Sequence, residues 1–188
     1  MNRWSYDIEL EQPYTNPQTP DSKLDSPKII QIGVVFFNIK TKEILEQKKW
    51  YINIGVPLST FIKKLTNITQ SEIDQGITIG QAYEELMFLI KKYKAFNQPI
   101  TWGTGDLQAL RSEVMLTGAK WELGHAEFNT KALYQMYSQL NGLKWRGGLA
   151  TCMERCGLKF QGRAHDALVD SFATMQFCSF LTDKLKNR

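Results

Sequence analysis

Only three cysteines and two histidines occur in the 188 residues. Cys152, Cys156 and Cys178 form no CxxC pair and are odd in number, so neither a disulfide framework nor a four-ligand zinc site is expected. Small core-packing thiols are the better reading, with Cys152 and Cys156, four apart, on one helix face. No run approaches the about 18 uninterrupted apolar residues of a membrane span, and the strand-like opening carries no secretory h-region. The expectation is a cytoplasmic protein with no membrane partner. No internal repeat and no low-complexity tract appears. Neither sign of charge dominates: 23 Lys and Arg stand against 19 Asp and Glu, a net +4 that permits a polyanionic partner without demanding one. A chain of this length, 43% hydrophobic, fits a single domain over residues 1–188 with one continuous core.

The most informative feature present is the pair Asp7 and Glu9. In Arg3–Leu10 the apolar residues Trp4, Tyr6, Ile8 and Leu10 alternate with Ser5, Asp7 and Glu9, the period-2 pattern of a half-buried strand. Both carboxylates then project from one face, with Cα atoms roughly 6.5–7 Å apart. A solvated strand face shows the same pattern, but two acids held together repel unless a cation neutralises them.

Residues 11–28 hold four of the six prolines and read as a long surface loop. Ile29–Phe37 has the continuous apolar character of a central strand, and a turn at Lys40–Lys42 leads to a third strand near Ile44–Ile52, giving an antiparallel meander. Thr69 and Glu72 form a capping box, with Gly76 as terminator, and Ala82, Leu86, Leu89, Ile90 and Tyr93 trace one face of an amphipathic helix. Pro99–Gly103 is a short buried strand. Helices follow from Asp106, from about Asn129 to Asn141, after Gly147-Gly148, and from roughly Asp166 to Leu185. The order predicts an α/β domain with helices flanking a mixed sheet.

Asp106 stands just beyond a strand and at the start of a helix, where an N-cap and a ligand are both open readings. His165 and Asp170 are five apart, about 140° around a helix, and would not share a face within it. His165 is therefore expected on the entering loop, with Asp170 pointing inward from the second turn among Ala167, Leu168, Phe172, Ala173 and Phe177. Such a carboxylate costs several kcal/mol unless paired or metal-bound.

This set, Asp7-Ile8-Glu9, then Asp106 after Trp102-Gly103, then His165-x-x-x-x-Asp170, resembles the three motifs of the DEDDh 3′→5′ exonucleases of the DnaQ-like, RNase H-like superfamily. The likeness covers about residues 3–180. Within it the chain looks most like the Eri-type and KapD-like branch, on Pro57-Leu58-Ser59 through Leu65–Gln70, the Trp102-Gly103-x-x-Asp106 segment and Arg146-Gly147-Gly148-Leu149-Ala150. The resemblance implies an RNase H-like mixed sheet, antiparallel meander plus parallel strands. It implies two Mg²⁺ or Mn²⁺ ions on Asp7, Glu9, Asp106 and Asp170, with Asp7 bridging and His165 as general base.

The chemistry is consistent with that set. Two-metal phosphodiester hydrolysis holds its ions roughly 3.5–4 Å apart, and hard cations take oxygen ligands completed by water and phosphate. A histidine, with a reference pKa of ~6.5, accepts a proton from water near neutral pH. The expected substrate is a 3′ end of RNA or DNA, single-stranded by preference, releasing nucleoside 5′-monophosphates. A polymerase-associated proofreading subunit and a silent nucleic-acid-binding module are the alternatives; a silent module has no chemical need for all five residues. No signature of a homodimer or polymerase surface is readable.

For substrate contacts, Leu10 and Trp102 adjoin the motifs, and Arg146 and Arg163 lie in glycine-flanked segments beside motif residues. For Trp145 and Phe160 two readings are open, stacking on a base, a contact worth ~1–3 kcal/mol, and buried packing. Glu11 departs from the resemblance, which places a small residue, often Thr, there to seat the terminal nucleotide. A carboxylate at that point repels phosphate unless it turns away or faces the 3′-hydroxyl. His125 has no motif context and receives no role.

Overall fold

The structure is a computed structural model, which describes residues 1–186. Its sheet has five strands in the order β3-β2-β1-β4-β5: β1 (Asn2–Glu11), β2 (Lys28–Asn38), β3 (Ile44–Tyr51), β4 (Ile100–Thr101) and β5 (Phe128–Asn129). β1, β2 and β3 form the expected antiparallel meander, whereas β4 and β5 add in parallel on the other side of β1. β1 is thus the central strand, and β2, the more continuously apolar run, lies beside it. Hydrophobicity does not tell them apart because both are covered on two faces.

The helices are α1 (Thr60–Thr66), α2 (Gln70–Asp74), α3 (Ile79–Lys92), α4 (Asp106–Leu116), α5 (Thr130–Leu140), α6 (Leu149–Arg155) and α7 (Ala167–Lys186). The Thr69 capping box forms, and Asn129 caps α5 by accepting from the Ala132 N–H. Two elements escape the sequence pattern: α1, and β5, which is too short for any periodicity. The expected surface loop shrinks to residues 12–27 and is not fully exposed, since Thr19 and Ser22 are buried.

The alternation in β1 is real, but its polar face is not solvated. Trp4, Tyr6 and Ile8 pack with Phe36 and Trp50 against α3 and α4. Ser5, Asp7 and Glu9 face α7, where the buried Ser5 hydroxyl donates to the Ser171 carbonyl at 2.9 Å. Close approach of α7 is set by Gly33, the partner of Asp7 across the β1–β2 ladder. A Cβ there would collide with the backbone of Ala167 and Leu168. The first turn of α7 is then tied down by Gln31, whose Oε1 accepts from the Ala167 N–H at 2.7 Å, and by Asp166, whose Oδ1 accepts from Leu168 and Val169.

Glu11 turns away from its neighbours on the acidic face. Fully buried, it accepts from the Ser59 N–H at 2.8 Å and the Gln12 N–H at 3.0 Å, holding the residue that caps α1. Glu11→Ala leaves the Ser59 N–H buried without its acceptor. A loss of about 1–3 kcal/mol of stability is expected in urea or thermal unfolding. A wild-type midpoint for this variant would mean the contact contributes nothing.

Candidate active site

Three segments converge on one cleft. β1 presents Asp7 and Glu9; the loop before α7 presents His165; the first turn of α7, one turn earlier than the spacing suggested, presents Asp170. One carboxylate oxygen each from Asp7, Glu9 and Asp170 lies within 4.8 Å of the other two. Asp106 is the first residue of α4 and stands outside that tight group, close enough to act electrostatically on both Asp7 and Glu9. It makes no capping bond, so the N-cap reading fails: Gly105 occupies the cap position.

His165 has left-handed backbone, φ 65°, held by its N–H donating to Asp170 Oδ2 at 2.8 Å. Such a conformation costs a non-glycine residue of order 1–3 kcal/mol and persists where surroundings enforce it. Its ring is half exposed, with Nδ1 3.9 Å from Glu9 Oε1. The adjoining Asp166 is paired to Lys49 at 2.8 Å, a contact with no local sequence signal because it joins β3 to α7.

Electrostatics mark these acids as uncompensated. Burial, followed by the charges of Asp106, Asp170 and Glu9, raises Asp7 well above the ordinary carboxylate range. Burial and then Asp170 push Glu9 up to about 8. Asp106 rises to about 6, from burial and then Glu127. Burial also raises Asp170, opposed by the His165 N–H. Crowded, half-desolvated oxygens of this kind fit a hard divalent cation, which would relieve the repulsion that raises them.

The cleft, about 360 Å³, is walled by Trp102, Leu149, Thr151, Phe160 and Ala164 around Asp7, Glu9, His165 and Asp170. Trp102 packs against Tyr134 and Phe177. Of the other residues expected to meet substrate, none is a wall. Leu10 packs on the core, and Glu11 serves α1. Arg163 donates to the carbonyls of Lys64 and Leu65 at the end of α1. Arg146 stacks over the exposed Trp145 ring at 4.9 Å. His125 meets Arg111 at 2.9 Å in a separate cleft. Gly148, Leu149 and Ala150 were legible only as part of the resemblance to the Eri-type branch.

A family model described as exonuclease, RNase_T, matches residues 15–178. The chain belongs to this exonuclease family. The matched segment includes Asp106, His165 and Asp170 and begins beyond Asp7 and Glu9, whose association with them is a matter of geometry. Among curated relatives, this exonuclease is 26% identical over 170 residues to ERI1 exoribonuclease 2 of Mus musculus, covering 78% of the chain and 24% of that protein. It is 27% identical over 154 residues to the 3′-5′ exoribonuclease 1 of Homo sapiens, covering 77% and 43%. The chain thus spans about a quarter of the first relative and under half of the second. Among solved structures, the nuclease domain of 3′hExo, a DEDDh family member bound to rAMP, superposes with a TM-score of 0.81 at 23% identity, covering 97% of this chain and 92% of that one. Cell-death related nuclease 4 gives 0.82 at 18% identity, covering 97% and 64%. These likenesses establish the RNase H-like fold. Among the described residues no helix is long and apolar enough to cross a membrane.

Proposed function

We propose that residues 1–188 form a single, metal-dependent 3′→5′ exonuclease domain acting on single-stranded 3′ ends, RNA before DNA, and releasing nucleoside 5′-monophosphates. The observation that carries this is the cluster of Asp7, Glu9 and Asp170 oxygens within 4.8 Å, with His165 beside Glu9 at the mouth of an open cleft. The preference for RNA is supported by the curated relatives, which are named exoribonucleases.

Asp7, Glu9, Asp106 and Asp170 would hold two Mg²⁺ or Mn²⁺ ions. Bound there, the ions would acidify a water and neutralise charge on the phosphate. The protein supplies the rest. Trp102 and Phe160 give the terminal base an apolar wall. His165, on its loop, takes the proton of the attacking water at the imidazole and passes it to bulk solvent through its exposed ring edge. Asp170 holds the His165 backbone with one oxygen, leaving the other for an ion.

The test is digestion of matched 3′-labelled and 5′-labelled RNA and DNA oligonucleotides, with Mg²⁺, with Mn²⁺ and with excess EDTA. Mononucleotide release from the 3′ side is expected with either ion, and none in EDTA. Full activity in EDTA would sink the metal-dependent reading, and shortening from the 5′ side would sink the polarity.

A further inference from the structure

Helix α4 begins in a way that leaves its first residue poorly held. Gly103 and Gly105 both have positive φ, 105° and 113°, and Gly105 has no side chain to cap the helix it opens. The loop between β4 and Asp106 is therefore built from residues with wide backbone freedom. Yet Asp106 must present its carboxylate at one place to serve with Asp7 and Glu9.

Glu127 supplies the restraint. From the residue before β5 it reaches back to α4, its Oε1 accepting from the Gly105 N–H at 2.7 Å and its Oε2 from the Leu107 N–H at 3.3 Å. The two amides flank Asp106, so one carboxylate clasps the backbone on both sides of it. Glu127 is itself anchored, because Phe128 pairs with Ile100 and its N–H donates to the Pro99 carbonyl at 2.8 Å. The clasp thus links Asp106 to the sheet edge. Its negative charge also suits the positive end of the helix.

We propose that Glu127 is a positioning residue for metal binding, holding Asp106 where it can ligate an ion without touching the ion itself. This rests on the proposed metal-dependent function. Loss of a supporting contact to a ligand typically weakens metal affinity ~10–100-fold.

The experiment measures Mn²⁺ binding to the whole protein without nucleic acid, by calorimetry or electron paramagnetic resonance, for wild type, Glu127→Ala, Glu127→Gln and Thr69→Ala. Thr69→Ala removes the remote capping box of α2 and serves as a destabilised control. Glu127→Ala is expected to bind Mn²⁺ ~10–100-fold more weakly. Glu127→Gln, whose amide oxygen still accepts one of the two N–H groups, is expected to recover much of the loss. Thr69→Ala is expected to melt earlier but bind normally. With saturating Mn²⁺, the oligonucleotide KM of Glu127→Ala should match wild type. Wild-type Mn²⁺ affinity in Glu127→Ala, with melting lowered as in Thr69→Ala, would reduce Glu127 to a helix cap. Equal losses in Glu127→Ala and Thr69→Ala would also overturn the proposal, since the effect would then be general destabilisation. Absence of Mn²⁺ binding by wild type would bring down the metal reading itself, and this proposal with it.

Discussion

Asp7→Asn is expected to lower kcat by on the order of 10³–10⁵ while leaving the domain folded. A ligated cation contributes several kcal/mol to stabilising charge at a reacting phosphate, and every 1.36 kcal/mol is about tenfold in rate. Asp7 occupies the middle of the acidic group, pushed up by burial first and then by Asp106, Asp170 and Glu9 in turn. Its removal should therefore disturb the site more than loss of any one neighbour. Stability should move the opposite way. A carboxyl group whose pKa is raised by folding costs the native state stability once pH passes its unfolded value, ~3.9 for Asp, and the cost grows as pH climbs toward the folded value. In EDTA, Asp7→Asn should accordingly melt above wild type at neutral pH, and the gap should close below pH ~4. Added Mn²⁺ should stabilise wild type and not the variant, because an ion that binds only the native state shifts the equilibrium toward it. A variant that turns over at the wild-type rate, or that melts far lower in EDTA, would make Asp7 a structural residue.

His165→Ala should lower kcat by ~10²–10⁴, the usual contribution of a positioned proton acceptor. Affinity for an oligonucleotide in Ca²⁺ should change little, since no ligand or wall of the cleft is removed except an exposed ring. Replacement with glycine or alanine also changes the cost of the left-handed backbone at this position. His165→Asn, which tolerates that conformation and cannot take the proton, separates the two effects. Near-normal kcat in both His165→Ala and His165→Asn would remove the ring from the reaction while leaving the carboxylates and the metal dependence in place.

The parts of this arrangement that were legible in the sequence are those written in local patterns. The alternation from Trp4 to Leu10 placed Asp7 and Glu9 on one face, and the impossible five-residue spacing on a helix put His165 on the loop. The capping box at Thr69 and the amphipathic face from Ala82 to Tyr93 reported themselves in the same way. What a local pattern does not carry is partnership across the fold. Whether Asp106 caps its own helix was undecidable until Glu127, 22 residues beyond Gly105, was seen to do so. Glu11 looked like an obstacle on the substrate path because its partner, Ser59, lies 48 residues away. Arg163 was read as a phosphate contact from its glycine-rich surroundings, whereas its guanidinium is engaged by carbonyls 98 and 99 residues distant. That β1 is central could not be read from hydrophobicity, since its polar face is buried by α7 through the small contacts at Ser5 and Gly33.

The closure of β1 by α7 has a consequence during synthesis. Ser5 and Ser171, which meet directly, are 166 residues apart, so the first strand of the domain waits for its last helix. Contacts so distant in sequence form only after a long stretch of chain has been made and folded around them. Until α7 emerges from the ribosome, Asp7 and Glu9 lie on an open strand in water, with neither Asp170 nor His165 to complete the proposed catalytic set. On the proposed reading, a nascent chain of this design gains its full catalytic set only once α7 has been made.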